Sequence, residues 1–338
     1  MSESIIKTKQ LTKAYGEKIA VNQLDLNIEK GEIFGLLGPN GAGKTTTILM
    51  LLGLTEPTSG EAYIKGHNCT IDPISVKSIV GYMPDNVGFY SDMTGRENLR
   101  FTGRLNGLSE EEIDERVDRL LERVGMQEAA DKKTGTYSRG MRQRLGIADV
   151  LMKDPEIIIM DEPTLGIDPE GLRELLALMQ KLAKEDGRTL LISSHQLYQI
   201  QQICDRVGIF VEGQLIACGK IKDLAKQVQE ANHYRLELQM TPCDDKVLSQ
   251  IMNQPGVTNV GKEGNTFLVE SDVDIRQSMT RFLGENGYTI LHMHQRGGDL
   301  DEIYHLYFEK AGQSNEDDSN NETGRGFFHR RGKKKGKE

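Results

Sequence analysis

Short apolar runs alternate with longer amphipathic segments over roughly the first 220 residues of the chain. The run EIIIM at residues 156–160 and the run TLLISS at residues 189–194 have the length and apolar content of buried strands. The segment between them, residues 170–187, has helical periodicity and ends at Gly187. This alternation predicts parallel strands joined by helical crossovers, which is the α/β class of fold.

One predicted helix carries a start signal, a stop signal and a complete apolar face. Ser109 stands before it, Glu112 follows three residues later as in a capping box, and Gly125 comes after the last apolar residue. Its apolar side chains recur at helical spacing, at Ile113, Val117, Leu120, Leu121 and Val124. The sequence therefore predicts an amphipathic helix over residues 109–125.

The pattern changes near residue 230. A strand, a helix, a hairpin around the letters KEGN, a second helix and a strand follow one another, and a last helix is predicted at 299–310. The order β-α-β-β-α-β is that of the ferredoxin-like fold. We therefore expect a first domain over 1–225 and a small α+β domain over 230–310. Residues 311–338 are polar and then basic, so a disordered tail is expected there.

The charge of the chain is unevenly distributed. Its net charge is −9, but residues 325–337 hold seven Lys or Arg and no acid, which leaves −16 for the rest. Nucleic acid is therefore an unfavourable partner for the folded body. The four cysteines form no C-x-x-C pair, which gives no support to a zinc site or a disulfide framework. Without a membrane-length apolar run or a signal-peptide pattern, a cytoplasmic location is expected.

The letters GPNGAGKTT form a phosphate-binding loop, with the pattern G-x-x-x-x-G-K-[ST] between a predicted strand and a predicted helix. Glycines let backbone N–H groups turn inward around phosphate oxygens, and the helix N-terminus adds partial positive charge. Lys44 is expected to reach the β- and γ-phosphates, and the Thr45 hydroxyl to bind Mg²⁺. The predicted nucleotide-binding residues of this P-loop are Gly38, Pro39, Asn40, Gly41, Ala42, Gly43, Lys44, Thr45 and Thr46.

Ionisable side chains follow two of the predicted strands. Asp161 and Glu162 come directly after EIIIM, and His195 comes directly after TLLISS. The carboxyl ends of parallel strands share one edge, where ligands bind in such sheets, so we expect all three beside the P-loop. Asp161 suits the Mg²⁺ shell, Glu162 the role of general base or water-orienting group, and His195 a role at the γ-phosphate.

With these motifs in order, residues 3–220 resemble the nucleotide-binding subunit of ATP-binding cassette (ABC) transporters. The resemblance implies a P-loop NTPase cassette that has a mixed sheet core, has a helical subdomain at about residues 88–152, and uses ATP and Mg²⁺. The letters YSRGM stand where this family has its signature loop, so Ser138 and Gly140 are expected to contact the γ-phosphate of ATP bound to a second subunit. By the same resemblance Tyr15 stacks on adenine, Asp168 lies in the loop that links the two sites, and His195 is the switch histidine.

Three motifs depart from the family pattern, at four positions. Asp85 stands where the Q-loop normally has glutamine; an acid can approach Mg²⁺ but cannot donate a hydrogen bond as an amide does. Arg139 replaces the first glycine of the signature pair, and Met141 replaces its final glutamine. Leu165 replaces a small or polar residue. Such degenerate signature loops are familiar in the daunorubicin-type drug-exporter branch, so an inactive site is not inferred.

The resemblance also implies partners. These are a second cassette, either the same chain or a relative, and an integral membrane permease contacted by the Q-loop region and residues 90–125. The chain would then work at the cytoplasmic face of the cell membrane. The basic residues of the tail, with Phe327 and Phe328, suggest an additional contact with anionic lipid. Two alternatives stay open: a permease-linked ATPase for signalling or cell-envelope control, and an ABC ATPase that moves no solute.

The region 230–310 resembles the small C-terminal extension of the same exporter branch and carries no chemical motif. His292, His294 and His305 invite a metal-site interpretation, but the first two alternate on a predicted strand and no acid or cysteine pattern accompanies them. A dimer brace or a regulatory addition is the favoured interpretation of this region.

Overall fold

The computed structural model describes residues 4–224, 234–243 and 246–296. In chain order, the strands of the first range are β1 (Ser4–Tyr15), β2 (Lys18–Leu24), β3 (Asn27–Glu29), β4 (Ile33–Leu37), β5 (Ser59–Ile64), β6 (His67–Asn68), β7 (Val80–Met83), β8 (Ile157–Asp161), β9 (Thr189–Ser194), β10 (Arg206–Val211) and β11 (Gln214–Gly219). Its helices include α1 (Lys44–Leu51), α2 (Pro73–Ile79), α3 (Gly95–Leu105), α4 (Glu110–Arg123), α5 (Arg139–Leu151), α6 (Pro169–Lys184) and α7 (Leu197–Ile200).

A six-stranded sheet forms the centre of this region, in the order β11-β10-β4-β9-β8-β7. All neighbouring strands from β10 to β7 are parallel, and β11 is an antiparallel edge strand. Every residue of β4, β8 and β9 is buried, as expected for strands covered on both faces. The predicted α/β class is thereby confirmed, and the carboxyl ends of β4, β8 and β9 share one edge.

A second, antiparallel sheet was not predicted, since the sequence pattern over residues 1–220 indicated alternating strands and helices. Its order is β2-β1-β5-β6, with β3 also paired to β1. Strands β1 and β2 are joined by a two-residue turn at Gly16 and Glu17, and Gly16 adopts a left-handed φ of 61°. The sheet matters for the site because Ala20 of β2 packs against the P-loop.

The helices α3, α4 and α5 form the region predicted as the helical subdomain. Ser109 and Glu112 make the predicted capping box at the start of α4, and Thr94 and Glu97 make a second one at α3. The predicted apolar face of α4 is buried. It packs into the same core cluster as the apolar residues of α5 and α6, so the helical region is anchored to the central sheet.

Residues 234–296 contain β12 (Tyr234–Thr241), α8 (Lys246–Met252), β13 (Val257–Glu263), β14 (Thr266–Ser271), α9 (Arg276–Glu285) and β15 (Thr289–Arg296). The strands form one antiparallel sheet in the order β13-β14-β12-β15, with a core cluster of its own. This is the ferredoxin-like order predicted from the sequence. The predicted helix at 299–310 and the predicted tail at 311–338 lie outside the described residues, and the domain boundaries stay predictions.

Candidate active site

The P-loop connects β4 to α1 and touches two other segments of the chain so closely that only glycine fits. A Cβ atom on Gly38 would lie 2.2 Å from the carbonyl oxygen of Phe210, and one on Gly43 would lie 2.2 Å from that of Ala20. Gly43 also adopts a φ of 107°, a conformation that side chains strongly disfavour. The loop is therefore fixed between β10 and β2, with α1 beginning at Lys44.

The side chain of Lys44 points back into this loop. Its Nζ atom donates hydrogen bonds to the carbonyl oxygens of Gly38, at 2.8 Å, and Pro39, at 3.1 Å. The same atom lies 3.4 Å from Oε1 of Glu162, and the side chain is only 5% exposed. A buried ammonium held among loop carbonyls and a carboxylate is in place to meet an anion that enters the loop.

Asp161 ends β8, and hydroxyl groups hold both of its carboxylate oxygens. Its Oδ2 accepts a hydrogen bond of 2.8 Å from Oγ1 of Thr45, and its Oδ1 accepts one from the hydroxyl of Ser193. The second contact follows from strand register, because β8 and β9 place Asp161 directly opposite Ser193. The oxygens of Thr45 and Asp161 thus converge beside the P-loop. This donor set fits Mg²⁺, which binds through few protein oxygens together with phosphate and water.

Glu162 is held in a left-handed conformation, with φ of 49°. Its N–H donates to the carbonyl oxygen of Ser193 at 3.1 Å. Its Oε2 accepts from the backbone N–H of His195 at 3.3 Å and lies 2.8 Å from Nδ1 of the same residue. Within the described residues, Oε1 accepts no hydrogen bond, although Lys44 is nearby. The contacts of Oε2 with His195 thus orient the carboxylate, and Oε1 remains available to accept a hydrogen bond.

These side chains line a cavity of about 540 Å³, the size of a small-molecule site. Among the predicted site residues, the strand-end groups Asp161, Glu162 and His195 all line it, as do most residues of the P-loop. Tyr15 lies at the mouth, with its side chain 52% exposed and Nζ of Lys13 at 5.0 Å from its ring centre. Because Tyr15 lines the cavity and is largely exposed, a planar ligand can reach its ring.

Asp85 also lines the cavity, and its side chain is exposed. Its main-chain oxygen accepts a hydrogen bond of 3.3 Å from Nε2 of Gln143, which is buried in α5. Burial, and to a smaller degree the negative charges of Asp161 and Asp85, raises the pKa of the Tyr82 hydroxyl to about 12. Tyr82 therefore stays neutral at ordinary pH.

The signature residues lie elsewhere. The hydroxyl of the exposed Ser138 accepts a hydrogen bond of 3.2 Å from the N–H of Met141 and so caps α5. Gly140 is buried, and a Cβ atom there would lie 3.4 Å from Cγ2 of Ile167. Asp168 caps α6 by accepting from the N–H of Gly171 at 3.1 Å. The structure therefore brings neither Ser138 nor Gly140 to the cavity of their own chain.

Several contributors to the site had no sequence prediction. Ser193 contacts both strand-end acids, and Lys18 and Ala20 of β2 line the cavity together with Leu165. The only available signal for Ser193 was a serine pair ending an otherwise apolar strand. The contribution of β2 had no signal, because it depends on how two sheets pack.

Among the residues that the structure describes, no group of three or more His, Cys, Asp or Glu side chains is arranged to hold a metal ion. The rings of His292 and His294 stack at 6.3 Å. His305 lies outside the described residues. In the described ranges no helix has the length and apolar character needed to cross a bilayer.

Comparisons with known proteins agree with this geometry. The profile of the family described as "ABC transporter" matches residues 21–165. The chain is 40% identical over 287 residues to the bacitracin transport ATP-binding protein BcrA of Bacillus licheniformis, covering 80% of this chain and 92% of that protein. It is 39% identical over 224 residues to the linearmycin resistance ATP-binding protein LnrL of Bacillus subtilis, covering 66% of this chain and 72% of that protein. The solved structure of a dimeric ATP-binding cassette, in a post-hydrolysis state with ADP and Pi, superposes on this chain with a TM-score of 0.58 at 28% identity. The match covers 64% of this chain and 98% of that one.

Proposed function

Because the chain belongs to the ABC transporter family and is an ATPase of its ATP-binding cassette type, we propose that it powers a separate membrane permease of an exporter. The names of these relatives refer to bacitracin transport and linearmycin resistance. By analogy, the exported compound is a drug, peptide or lipid-like molecule that the permease selects. The chain would bind the permease at the cytoplasmic face of the membrane.

The observation that carries this proposal is the convergence of Lys44, Asp161, Glu162 and His195 on one cavity at the edge of the parallel sheet. In hydrolysis, Lys44 would exchange its carbonyl partners for phosphate oxygens and so stabilise their negative charge. Thr45 and Asp161 would hold Mg²⁺, which supplies further positive charge against the phosphates. Asp85, which also lines the cavity, would approach the same ion.

Glu162 would orient the attacking water and accept its proton. Its Oε2 is fixed by His195 and its Oε1 is free of hydrogen bonds within the described residues, so one oxygen positions the group and the other can take the proton. His195 would hold the carboxylate in this orientation and contact the γ-phosphate. The Tyr15 ring would stack on adenine at the mouth of the cavity.

The reaction chamber would be completed by a second copy of this chain. The likeness to a dimeric cassette supports this arrangement, as does the placement of Ser138 and Gly140 away from their own cavity. In such a dimer, the hydroxyl of Ser138 and the N–H groups that begin α5 would face the γ-phosphate held by the opposite P-loop. Nucleotide would then close the dimer, hydrolysis would reopen it, and the motion would drive the permease.

The test of the assigned base is Glu162→Gln, which keeps the size of the side chain but removes its basicity. We expect ATP turnover to fall about a hundredfold or more while ATP binding persists and a closed dimer accumulates. The control is Glu156→Gln, which changes an exposed acid just before the same strand and pairs with Lys65. Turnover by Glu162→Gln within threefold of the control would contradict the assignment.

A further inference from the structure

Arg139, the first residue of α5, lies across the turn that follows Glu162. A Cβ atom on Gly166 would lie 3.2 Å from Cδ, 3.4 Å from Nη1 and 3.5 Å from Cζ of Arg139. Three atoms at nearly equal distances mean that the end of the arginine side chain lies along the glycine and does not meet it end-on. Gly166 has a left-handed φ of 68° and no side chain, and both features leave room for the arginine.

The turn under Arg139 begins at the catalytic carboxylate. The N–H of Leu165 donates to the main-chain oxygen of Glu162 at 3.3 Å, and Leu165 itself lines the cavity. One residue further on, Gly140 of α5 meets Ile167 at 3.4 Å from its Cβ position. The signature segment, residues 138–140, and the linking turn, residues 162–168, are therefore in contact at two successive points.

The contact made by Arg139 is one of packing. Within the described residues its guanidinium takes part in no ion pair or hydrogen bond. Arg144, on the same helix, differs in that its Nη1 lies 3.0 Å from Oε2 of Glu174. A cation at the N-terminal end of a helix is electrostatically disfavoured, and α5 has no acid in its first turn to offset it. The arginine is thus placed by its contact with the turn and not by a local counter-charge.

We propose that Arg139 is a positioning residue that couples the signature segment to the linking turn within one subunit. Its side chain ties the signature segment to the linking turn, so a shift of Ser138 on meeting the opposite nucleotide moves the turn that carries Glu162. This inference rests on the proposed two-subunit function. It gives a physical role to an arginine at a position where the family pattern has glycine.

The first test separates positioning from folding by kinetics. We expect Arg139→Gly to lower kcat about tenfold while the KM for ATP stays within twofold, since ATP binding in the cavity needs no contact with residue 139. The Hill coefficient of wild-type turnover against ATP, up to about 2 for two coupled sites, should fall towards 1. Arg139→Met keeps an unbranched stem over Gly166 and should retain at least about half of the wild-type kcat. Equal losses in the two variants would overturn the proposal.

The second test is a double-mutant cycle between positions 139 and 166. Gly166→Ala introduces a methyl group against Arg139, so it should lower kcat more in the wild type than in Arg139→Gly, where only the cost of the left-handed φ remains. Gly187→Ala is the matched control, because Gly187 has a φ of 67° with nothing within 4 Å of its Cβ position. Its effect should be equal in both backgrounds.

Additive effects of Gly166→Ala and Arg139→Gly on kcat would refute the coupling. Unfolding temperatures of all variants identify any loss of kcat that reflects misfolding. Failure of the coupling is distinguishable from failure of the proposed two-subunit function. If the two-subunit function failed, the wild type itself would show no cooperative turnover and no ATP-dependent dimer, whatever residue stands at position 139.

Discussion

The cavity edge, where β4, β8 and β9 end, and the signature segment are both proposed to contact phosphate, yet they differ in how complete they are within one chain. At the cavity edge, Lys44, Thr45, Asp161 and Glu162 are joined to one another or to β9 by direct polar contacts. At the signature segment, Ser138 is exposed and its hydroxyl caps only its own helix. The first region is a cavity lined by groups that already contact one another, whereas Ser138 and Gly140 of the second region do not line that cavity.

This difference is the structural basis for proposing a shared chamber. A side chain that acts at the γ-phosphate bound by its own chain is expected to be held within the same hydrogen-bond network, as Glu162 and His195 are. A group that serves the nucleotide of another chain is expected to be exposed and to form hydrogen bonds only within its own helix, as Ser138 does among the described residues. Changes at the two regions should therefore have different consequences for binding and for turnover.

The largest effect is expected from Lys44→Ala. It removes the cation that the loop carbonyls and Glu162 surround, so both ATP binding and turnover should collapse, with kcat/KM falling about a hundredfold or more. Equilibrium binding of a fluorescent ATP analogue and steady-state hydrolysis measure the two losses. Lys18→Ala, which removes another lysine lining the same cavity, should change either quantity by no more than about fivefold. Equal losses in the two variants would contradict the role given to Lys44.

A smaller loss, in turnover and not in ATP binding, is expected from Ser138→Arg. The arginine should keep residue 138 from contacting the γ-phosphate held by the second subunit, so turnover should fall by about tenfold or more while binding of ATP to the monomer stays within twofold. Ser109→Arg is the matched control, because it removes an equivalent cap from α4 and lies in no proposed interface with nucleotide. If Ser138→Arg weakened ATP binding to the monomer as strongly as it slowed turnover, the two regions would not be separable.

Asp85 offers an intermediate test, since it lies at the cavity and its backbone is tied to α5. Asp85→Ala should raise the Mg²⁺ concentration for half-maximal turnover by about tenfold and leave ATP binding without metal unchanged. Asp85→Gln restores a neutral oxygen ligand and should lie between alanine and the wild type. A Mg²⁺ dependence that is identical in all three proteins would remove Asp85 from the proposed metal shell.

The smallest effect is expected at the mouth of the cavity. Tyr15→Ala should raise the KM for ATP by about threefold to tenfold with kcat unchanged, which is the behaviour of a group that binds ground state and transition state equally. Tyr15→Phe keeps the ring and should behave as the wild type. Loss of kcat without a change in KM would show that Tyr15 has another role.

Much of this site could be anticipated because its key residues follow buried strands. Parallel strands end at one edge, so the positions of Asp161, Glu162 and His195 after apolar runs implied that they would meet near the P-loop, and the structure places them there. The capping box of α4 and the strand order of residues 234–296 followed equally from local patterns. The chemical roles of these residues remain predictions.

What the sequence could not provide depends on contacts between distant segments. Ser193 meets Asp161 through the register of β8 and β9, and Ala20 meets Gly43 through the packing of one sheet against another. The antiparallel sheet itself was missed, because β1 is half exposed and carries lysine, threonine and glutamine among its apolar residues. Arg139 was recognised only as a departure from a pattern, since its partner Gly166 lies 27 positions away.

The most direct test of the shared chamber is complementation between two inactive proteins. Lys44→Ala lacks a working P-loop and Ser138→Arg lacks a working signature segment, so each should be nearly inactive alone. Mixed in equal amounts, half of the dimers would contain both chains and each would hold one intact chamber. This predicts up to about a quarter of the wild-type ATP turnover, the full quarter applying if the two chambers act independently. A mixture no more active than the sum of its parts, together with full turnover by Ser138→Arg alone, would contradict the account.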